Sequence, residues 1–189
     1  GIYYEDKKEF FFKEEVVLTN TQYILKSDTL KYNTETEVCY FFGPTTITGD
    51  SNFIYCENGW YDTKKDFSQF NKNAYLQSKN QTLSGDSLCY DRKKRYGQAF
   101  NNVEVNDTSE NIIIRGNYGY YFEEPEKSMI TDSVLLIQVM DDDSLFMHAD
   151  TLFATTDSSG KHKIIYAYHH VKLFKPDFQG KCDSLVYSF

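Results

Sequence analysis

The chain has 189 residues, a net charge of −8 and an aromatic content of 17%, with 16 Tyr and 15 Phe. The acidic balance argues against a nucleic-acid partner, because binding to phosphates needs a basic face. The aromatic residues favour strands over long helices, and no apolar run approaches the roughly 18 residues of a membrane-spanning helix.

Extended runs separated by polar turns fill the chain from one end to the other. Gly43 and Pro44 are predicted to break the run that starts at residue 38. No linker or low-complexity tract interrupts the series, so residues 1–189 are predicted to form a single domain. The main runs are residues 10–18, 23–32, 38–42, 53–61, 83–90, 112–122, 134–140, 145–153, 164–174 and 180–187.

One sequence stretch recurs along the chain, and its best copy is Ser84-Gly85-Asp86-Ser87-Leu88-Cys89-Tyr90-Asp91. Related stretches place an acidic or amide residue at positions 28, 57, 86, 117, 150 and 183, in steps of 29 to 33 residues. A near-constant period of this length indicates a repeat architecture. Both ends fall inside a repeat, so we expect the chain to be part of a longer protein.

The residues around the acidic column predict how the units are arranged. Leu and Gly alternate two positions after it, as at Leu30, Gly59, Leu88 and Gly119. This alternation favours successive units on opposite sides of the molecule, with strands i and i+2 paired within one sheet. The predicted fold is all-β, with two facing antiparallel sheets built from two-strand repeats.

An apolar slot is predicted between the two sheets, on a strand face opposite to the acidic column. The sequence does not separate a filled core from a slot that holds lipid chains. The residues predicted to line this interior are Leu25, Ile47, Ile54, Leu76, Leu83, Val103, Val105, Ile114, Met147, Val171 and Leu173.

Residues with chemical potential do not form a catalytic or metal-binding pattern in the sequence. The column of Asp28, Asp86, Asp150 and Asp183 is interpreted as bonding backbone at a strand bend. The four histidines, His148, His162, His169 and His170, show no metal spacing. His169 and His170 are adjacent in a predicted strand, so their side chains are expected to point to opposite faces and not to a single ion. We predict no enzyme activity, no metal and no cofactor.

The cysteines and the basic cluster have two interpretations each. Cys56 and Cys182 occupy a column of small residues, so a buried side chain is favoured over a disulfide or reactive thiol. Cys39 and Cys89 form no CxxC pair either. The run Arg92-Lys93-Lys94-Arg95 is either a solvated turn or a site for anionic lipid headgroups.

The Asp-Ser/Thr-Leu-x-Tyr stretches, together with Asn101-Asn102-Val103-Glu104-Val105-Asn106-Asp107, resemble the OstA-like or LptA-like lipopolysaccharide transport family. The resemblance covers essentially the whole chain. It implies an open, twisted β-jellyroll in the periplasm of Gram-negative bacteria, with an association with the outer membrane. It also implies acyl chains of lipopolysaccharide held inside, and edge-strand docking to another Lpt-like domain or to a second copy.

We therefore expect a non-enzymatic carrier or bridge segment in the transport of lipopolysaccharide to the outer membrane. The alternative is a structural β-solenoid, an envelope scaffold with a filled core and no lipid ligand. An enzyme on a β-helix is a third hypothesis, but it would need shorter coils and clustered carboxylates.

Overall fold

The computed structural model describes residues 1–19, 21, 23–50, 52–140, 143–156 and 163–188, and all of its regular structure is β-strand. Most strands have 11 to 14 residues, which is about twice the usual length. In chain order they are β1 (Ile2–Tyr4), β2 (Glu9–Thr19), β3 (Tyr23–Asn33), β4 (Val38–Gly49), β5 (Asn52–Asp62), β6 (Phe67–Ser78), β7 (Gln81–Asp91), β8 (Tyr96–Asp107), β9 (Ile112–Glu123), β10 (Glu126–Val139), β11 (Ser144–Thr156), β12 (Lys163–Lys175) and β13 (Phe178–Ser188).

The 13 strands form one antiparallel sheet in which each strand pairs with the next along the chain. The predicted all-β, open jellyroll-like class is confirmed. The predicted pairing of strands i and i+2 in two separate sheets is wrong, because every strand from β2 to β12 pairs with both of its neighbours in sequence. Among the described residues, β1 and β13 each pair with one strand, so the sheet is open.

Every even-numbered strand is interrupted near its middle by a bulge, in which two of its residues stand opposite a single residue of the odd-numbered neighbour. The even-numbered strands carry pairs of residues with positive φ at this level, such as Lys72 and Asn73 in β6 and Asn101 and Asn102 in β8. In β4 a single Gly43, with φ of 83°, takes this role. The predicted break at Gly43 and Pro44 is therefore wrong: β4 runs through them, and the residues form a bulge inside one strand.

These bulges fold the sheet onto itself along a line across all of its long strands. Gln138 of β10 pairs with Leu145, which is near the start of β11. Tyr187 of β13 is connected through Ile165 of β12 to Ala154, which is near the end of β11. The two residues therefore lie at opposite ends of the strands. In a flat sheet about 30 Å would separate them along the strands. The Tyr187 hydroxyl nevertheless donates to Gln138 Oε1 at 2.6 Å.

A second contact of the same kind joins Lys163 Nζ and Asp107 Oδ2 at 3.1 Å. Lys163 begins β12 and Asp107 ends β8, so they also come from opposite ends of the strands. The bend divides each long strand into two halves. Layer 1 consists of the first halves of the odd-numbered strands and the second halves of the even-numbered strands. Layer 2 contains the remaining halves.

The core lies between the two layers and consists of two clusters. The first extends from β2 to β8, and the second from β9 to β13. Three rows of inward side chains cross the sheet, and each row continues from strand to strand through the register. The side chains are therefore positioned by the bend and by the two-residue alternation on either side of it.

The Leu and Gly alternation has a packing explanation within the single sheet. Gly59 pairs with Phe41 on one side and Phe70 on the other. The rings of these two phenylalanines lie nearly parallel, with centroids 6.4 Å apart. Glycine thus makes room for large neighbours in the same row, while Leu30 and Leu88 occupy the corresponding position in β3 and β7.

Gly59 provides a direct test of this packing. A Cβ at this position would lie 2.4 Å from the backbone oxygen of Gln69 and 3.2 Å from the ring of Phe41. We expect Gly59→Ala to lower the free energy of unfolding by roughly 1–3 kcal/mol, because overpacking forces the backbone to move. Urea denaturation would measure this change.

Gly97→Ala is the matched control, since its nearest neighbour would be the Cys89 oxygen at 3.6 Å, an ordinary contact. This variant should stay within about 0.5 kcal/mol of the wild type. Equal losses in both variants would contradict the packing explanation.

The contact between the layers at Asp107 gives a pH prediction. Burial acts to raise the pKa of Asp107, but hydrogen bonds from Ser109, Gln81 and Lys163 outweigh it and hold the pKa well below its usual value. The charged carboxylate thus stabilises the fold above about pH 4, the usual carboxyl pKa, and this contribution is lost as the pH falls towards the lowered pKa. We expect Asp107→Asn to be less stable than the wild type by about 1–2 kcal/mol at neutral pH.

The difference between the two proteins should shrink steadily below pH 4, as followed by urea denaturation at several pH values. Glu104→Gln, which removes an ion pair with Arg115 on the outer face of β8, should show little change at any pH. A difference between Asp107→Asn and the wild type that stays constant down to pH 2 would contradict the assignment.

Candidate functional site

The inner face of layer 1 carries a continuous row of aliphatic side chains, which we call the slot row. Register connects each member to the next, for example Ile47 to Ile54 and Leu76 to Leu83. Nine of the eleven predicted lining residues fall in this row. The slot row consists of Leu18, Leu25, Ile47, Ile54, Leu76, Leu83, Val105, Ile114, Leu136, Met147 and Leu173.

The other two predicted lining residues, Val103 and Val171, belong to a second row of layer 1, next to the bend. We call it the bend row; it contains small residues because the two layers converge there. Ala74 is 1% exposed and Ala149 is fully buried. The bend row consists of Val16, Ser27, Thr45, Cys56, Ala74, Gly85, Val103, Gly116, Val134, Ala149, Val171 and Cys182.

Layer 2 contributes the facing row, which the sequence did not assign to the site. Leu25, before the acidic residue Asp28, is 4% exposed, and Leu30, after it, is 1% exposed. The side chains of both leucines therefore point into the interior. The prediction that they occupy opposite faces is wrong, because the side-chain alternation is interrupted at Asp28 and Thr29, where the register shifts. The facing row consists of Phe12, Leu30, Phe41, Gly59, Phe70, Leu88, Ala99, Gly119, Ile130, Leu152, Ala167 and Leu185.

The degree of burial along the slot row is uneven. Ile47, Ile54, Leu76, Leu83, Val105 and Ile114 are only half-buried, on six consecutive strands from β4 to β9. Leu136 and Met147, on β10 and β11, are fully buried. The space between the layers is therefore accessible to solvent beside β4–β9 and filled beside β10 and β11.

A cavity of about 130 Å³ lies between the layers in the accessible part. Its apolar wall comes from the slot and facing rows, including Leu25, Ile54 and Phe70. Its polar wall comes from the end of layer 2 nearest the hairpin turns and includes Tyr61, Tyr90 and Arg92. An apolar chain with a polar end fits this distribution of groups.

The tyrosines of the repeated stretch form the rim of this cavity. The Tyr61 hydroxyl donates to Asp66 Oδ1 at 2.5 Å, and the Tyr90 hydroxyl donates to Glu123 Oε1 at 2.6 Å. Burial, followed by the hydrogen bond and charge of Asp66, raises the pKa of Tyr61 to about 12. Both hydroxyls thus stay protonated near neutral pH, and the repeated Tyr was the sequence signal for the rim.

The predicted headgroup cluster occupies the turn between β7 and β8, where its members have different surroundings. Arg92 borders the cavity. Lys94 pairs with Asp91 at 2.9 Å, and Arg95 pairs with Glu124 at 2.8 Å. Lys93 donates to the backbone oxygen of Lys64 in the adjacent turn at 2.8 Å. Of the four, Arg92 is the residue placed to meet a ligand in the cavity.

A larger cavity, of about 380 Å³, lies on the outer side of the bend between β8, β9 and β10. Asn102, Asn117 and Asp132 contribute polar groups to its walls, and Val103 contributes an apolar one. Its walls contain no residue of the slot row or of the facing row. It is therefore separate from the apolar space between those two rows.

The acidic column stands opposite the bulges, as the strand-bend interpretation predicts. Its bonds reach side chains rather than the predicted backbone groups: Asp86 accepts from Asn102 at 3.1 Å, and Glu57 accepts from Asn73 at 2.6 Å. These carboxylates hold successive bulges on the outer side of the bend. They do not converge on a common point where a reaction could occur.

The histidines of β12 also belong to the bend. His169 contacts Asp183 Oδ1 at 3.3 Å, and His170 contacts Asp150 Oδ2 at 2.8 Å. The expectation that they point to opposite strand faces does not apply, since both have positive φ within the bulge. His162 lies outside the described residues. In the part of the chain that the structure describes, no three His, Cys, Asp or Glu side chains are placed to hold a metal.

The two cysteines of the small-residue column have different environments. Cys56 is fully buried in the bend row, as predicted. Cys182, on the last strand of the described sheet, is exposed, so its predicted burial is wrong. All four cysteines are free thiols, and burial raises the pKa of Cys39 and Cys56 to about 12.

Among the described residues, no helix is long and apolar enough to cross a membrane. No curated protein matches the chain. A family model described as OstA-like protein matches it twice, over residues 1–86 and 45–144. The two matches overlap, as expected for a repeated unit, and together they cover more than half of the 189 residues. The chain belongs to the OstA-like protein family.

Proposed function

We propose that the chain is a non-enzymatic carrier or bridge segment that holds the acyl chains of lipopolysaccharide between its two layers. Membership in the OstA-like family suggests a role related to lipopolysaccharide transport. The observation that carries the proposal is the half-buried slot row on β4–β9. In a folded protein, such a row is expected to be covered by an apolar ligand or partner.

Energetics support an acyl chain as this ligand. Each methylene that leaves water contributes about 0.8 kcal/mol, so a single chain contributes on the order of 10 kcal/mol before ordering costs. The layers are joined at the bend and at the contacts of Asp107 and Gln138. The slot is therefore largely preformed, which lowers the cost of binding.

Arg92 provides the polar end of the proposed site. It borders the same cavity as the hydroxyl-bearing side chains of Tyr61 and Tyr90, which supports this role. Guanidinium groups bind phosphate through paired hydrogen bonds. A phosphate on the sugar headgroup of the lipid would meet this residue as the acyl chain enters the cavity.

The open edges of the sheet support docking to another Lpt-like domain or to a second copy. In the part of the chain that the structure describes, β13 has 11 residues and pairs with β12 on one side. Unpaired edges of this kind recruit further strands. A periplasmic location, in association with the outer membrane, completes the proposal.

The second candidate function is a structural scaffold with a filled core and no lipid. The full burial of Leu136 and Met147 favours it for β10 and β11. The half-buried row beside β4–β9 does not fit it. Lipid that copurifies with the protein, detected by native mass spectrometry, would distinguish the two candidates.

Ile54 tests the slot. We expect Ile54→Glu to weaken the binding of lipid A by at least tenfold, because a carboxylate in the apolar slot must lose its hydration. Ile24→Glu is the control, since Ile24 is 42% exposed on the outer face of β3. Fluorescence titration measures affinity, and Ile54→Ser replaces the first variant if it does not fold. Equal affinities for wild type and both Ile54 variants would contradict the proposal.

Arg92 tests the headgroup contact. We expect Arg92→Gln to bind a single-chain phospholipid with a free phosphate three- to tenfold more weakly, because a charge-assisted bond is lost. Binding of a monoacylglycerol, which has no phosphate, should not change.

Lys94→Gln is the matched control for Arg92, because its ammonium group already pairs with Asp91. It should leave both affinities unchanged in the same titration. An equal loss for the phosphate and the neutral lipid would remove Arg92 from the headgroup site.

A further inference from the structure

We propose that the slot is blind: it accepts an acyl chain beside β4–β9 and ends at β10, where two polar contacts close it. This inference rests on the proposed function and specifies where in the interior the lipid lies. It starts from a change in burial along one row. Six consecutive members, from Ile47 to Ile114, are half-buried, and the next two, Leu136 and Met147, are completely buried.

Side-chain size does not explain this change. Leu76 and Leu83 are half-buried, whereas Leu136, the same residue type in the same row, is inaccessible. The row is therefore more completely covered at β10 than at β6 and β7. Val134 and Ala149, beside Leu136 and Met147, are also fully buried.

Two contacts between the layers lie at the closed part or next to it, and we call them the latch: the first joins β8 to β12, and the second joins β10 to β13. One is the ion pair of Asp107 and Lys163, at 3.1 Å. The other is the hydrogen bond from Tyr187 to Gln138, at 2.6 Å. Each contact joins the edge of layer 1 that is farthest from the bend to the corresponding edge of layer 2. This is the edge at which the gap between the layers would otherwise open to solvent.

The latch is anchored on both sides. Asp107 is 5% exposed and also accepts hydrogen bonds from Gln81 at 2.7 Å and Ser109 at 2.5 Å. Tyr187 sits on β13, three strands beyond the β10 strand that carries Gln138. The latch thus ties β8 to β12 and β10 to β13.

The cavity next to Tyr61 and Tyr90 lies in the accessible part of the slot, away from the latch. Between β4 and β9 there are five strand spacings, which gives an acyl chain lying across the strands about 24 Å. A chain that reaches β10 meets the side chains of Leu136 and Met147 instead of free space. The slot thereby limits how far a lipid penetrates.

Photo-crosslinking of the intact wild-type chain tests the proposal. The probe is a saturated fatty acid with a diazirine next to its methyl end, and peptide mass spectrometry locates the adducts. We expect adducts on the slot row of β4–β9, at Ile54, Leu76 or Leu83. Adducts at Leu136 and Met147 should be at least tenfold fewer.

Two latch variants test the closure itself. Lys163→Met removes the cation of the ion pair, and Tyr187→Phe removes only the hydroxyl group that bonds Gln138. We expect at least a threefold increase in adducts at Leu136 and Met147 in either variant. Arg115→Met is the matched control for the first variant, since it removes the cation of an ion pair on the outer face, and it should label like the wild type.

The outcomes separate this inference from the proposed function. Adducts spread evenly over the slot row of the wild type would overturn the blind slot and leave the lipid carrier intact. Latch variants labelled like the wild type would overturn the role of the latch. Adducts confined to outer-face residues would overturn the proposed function itself.

Discussion

The bulge at the middle of each even-numbered strand is the constraint on which the rest of the structure depends. A sheet of strands this long would have one core face open to water if it stayed flat. Pairs of left-handed residues, such as Asn101 and Asn102, recur at the same level in the even-numbered strands and turn each strand back. A left-handed non-glycine residue costs roughly 1–2 kcal/mol. The interior that the bend creates, together with outer contacts such as Asp86 to Asn102, offsets this cost.

The bend also determines which side chains fit where. The layers meet at the bend row, so Cys56 and Ala149 are required to be small, and neither needs a chemical role. Farther out, the separation grows and the slot row is aliphatic. At the rim, repeated tyrosines such as Tyr90 present a hydroxyl to the turns while their rings border the interior. One repeat unit therefore contributes a small, an aliphatic and an amphipathic group, in order of distance from the bend.

Much of this could be predicted from the sequence, because strand alternation and the repeat period are local properties. The lining residues, from Leu25 to Leu173, were predicted from their position in the repeat, and the register divides them between two rows. Strand pairing could not be predicted in the same way, since the alternation of Leu30 and Gly59 fits more than one arrangement. The deciding quantity is the volume shared by Phe41, Gly59 and Phe70, which belong to three different strands. Likewise, the faces of His169 and His170 depend on left-handed φ values that alternation does not reveal.

The contrast between β4–β9 and β10–β11 bears on whether the interior evolved as a core or as a slot. A protein that needed only a packed core would gain stability by burying the whole slot row, as it buries Leu136. Leu76 and Leu83 have the volume to do the same, yet they stay half-buried. The open part therefore does not result from a lack of apolar side chains. The row is covered less completely there than at β10, where Gln138 and Tyr187 join the two layers. A slot that is open where closure was available is the arrangement expected when an apolar ligand, rather than the protein, completes the core.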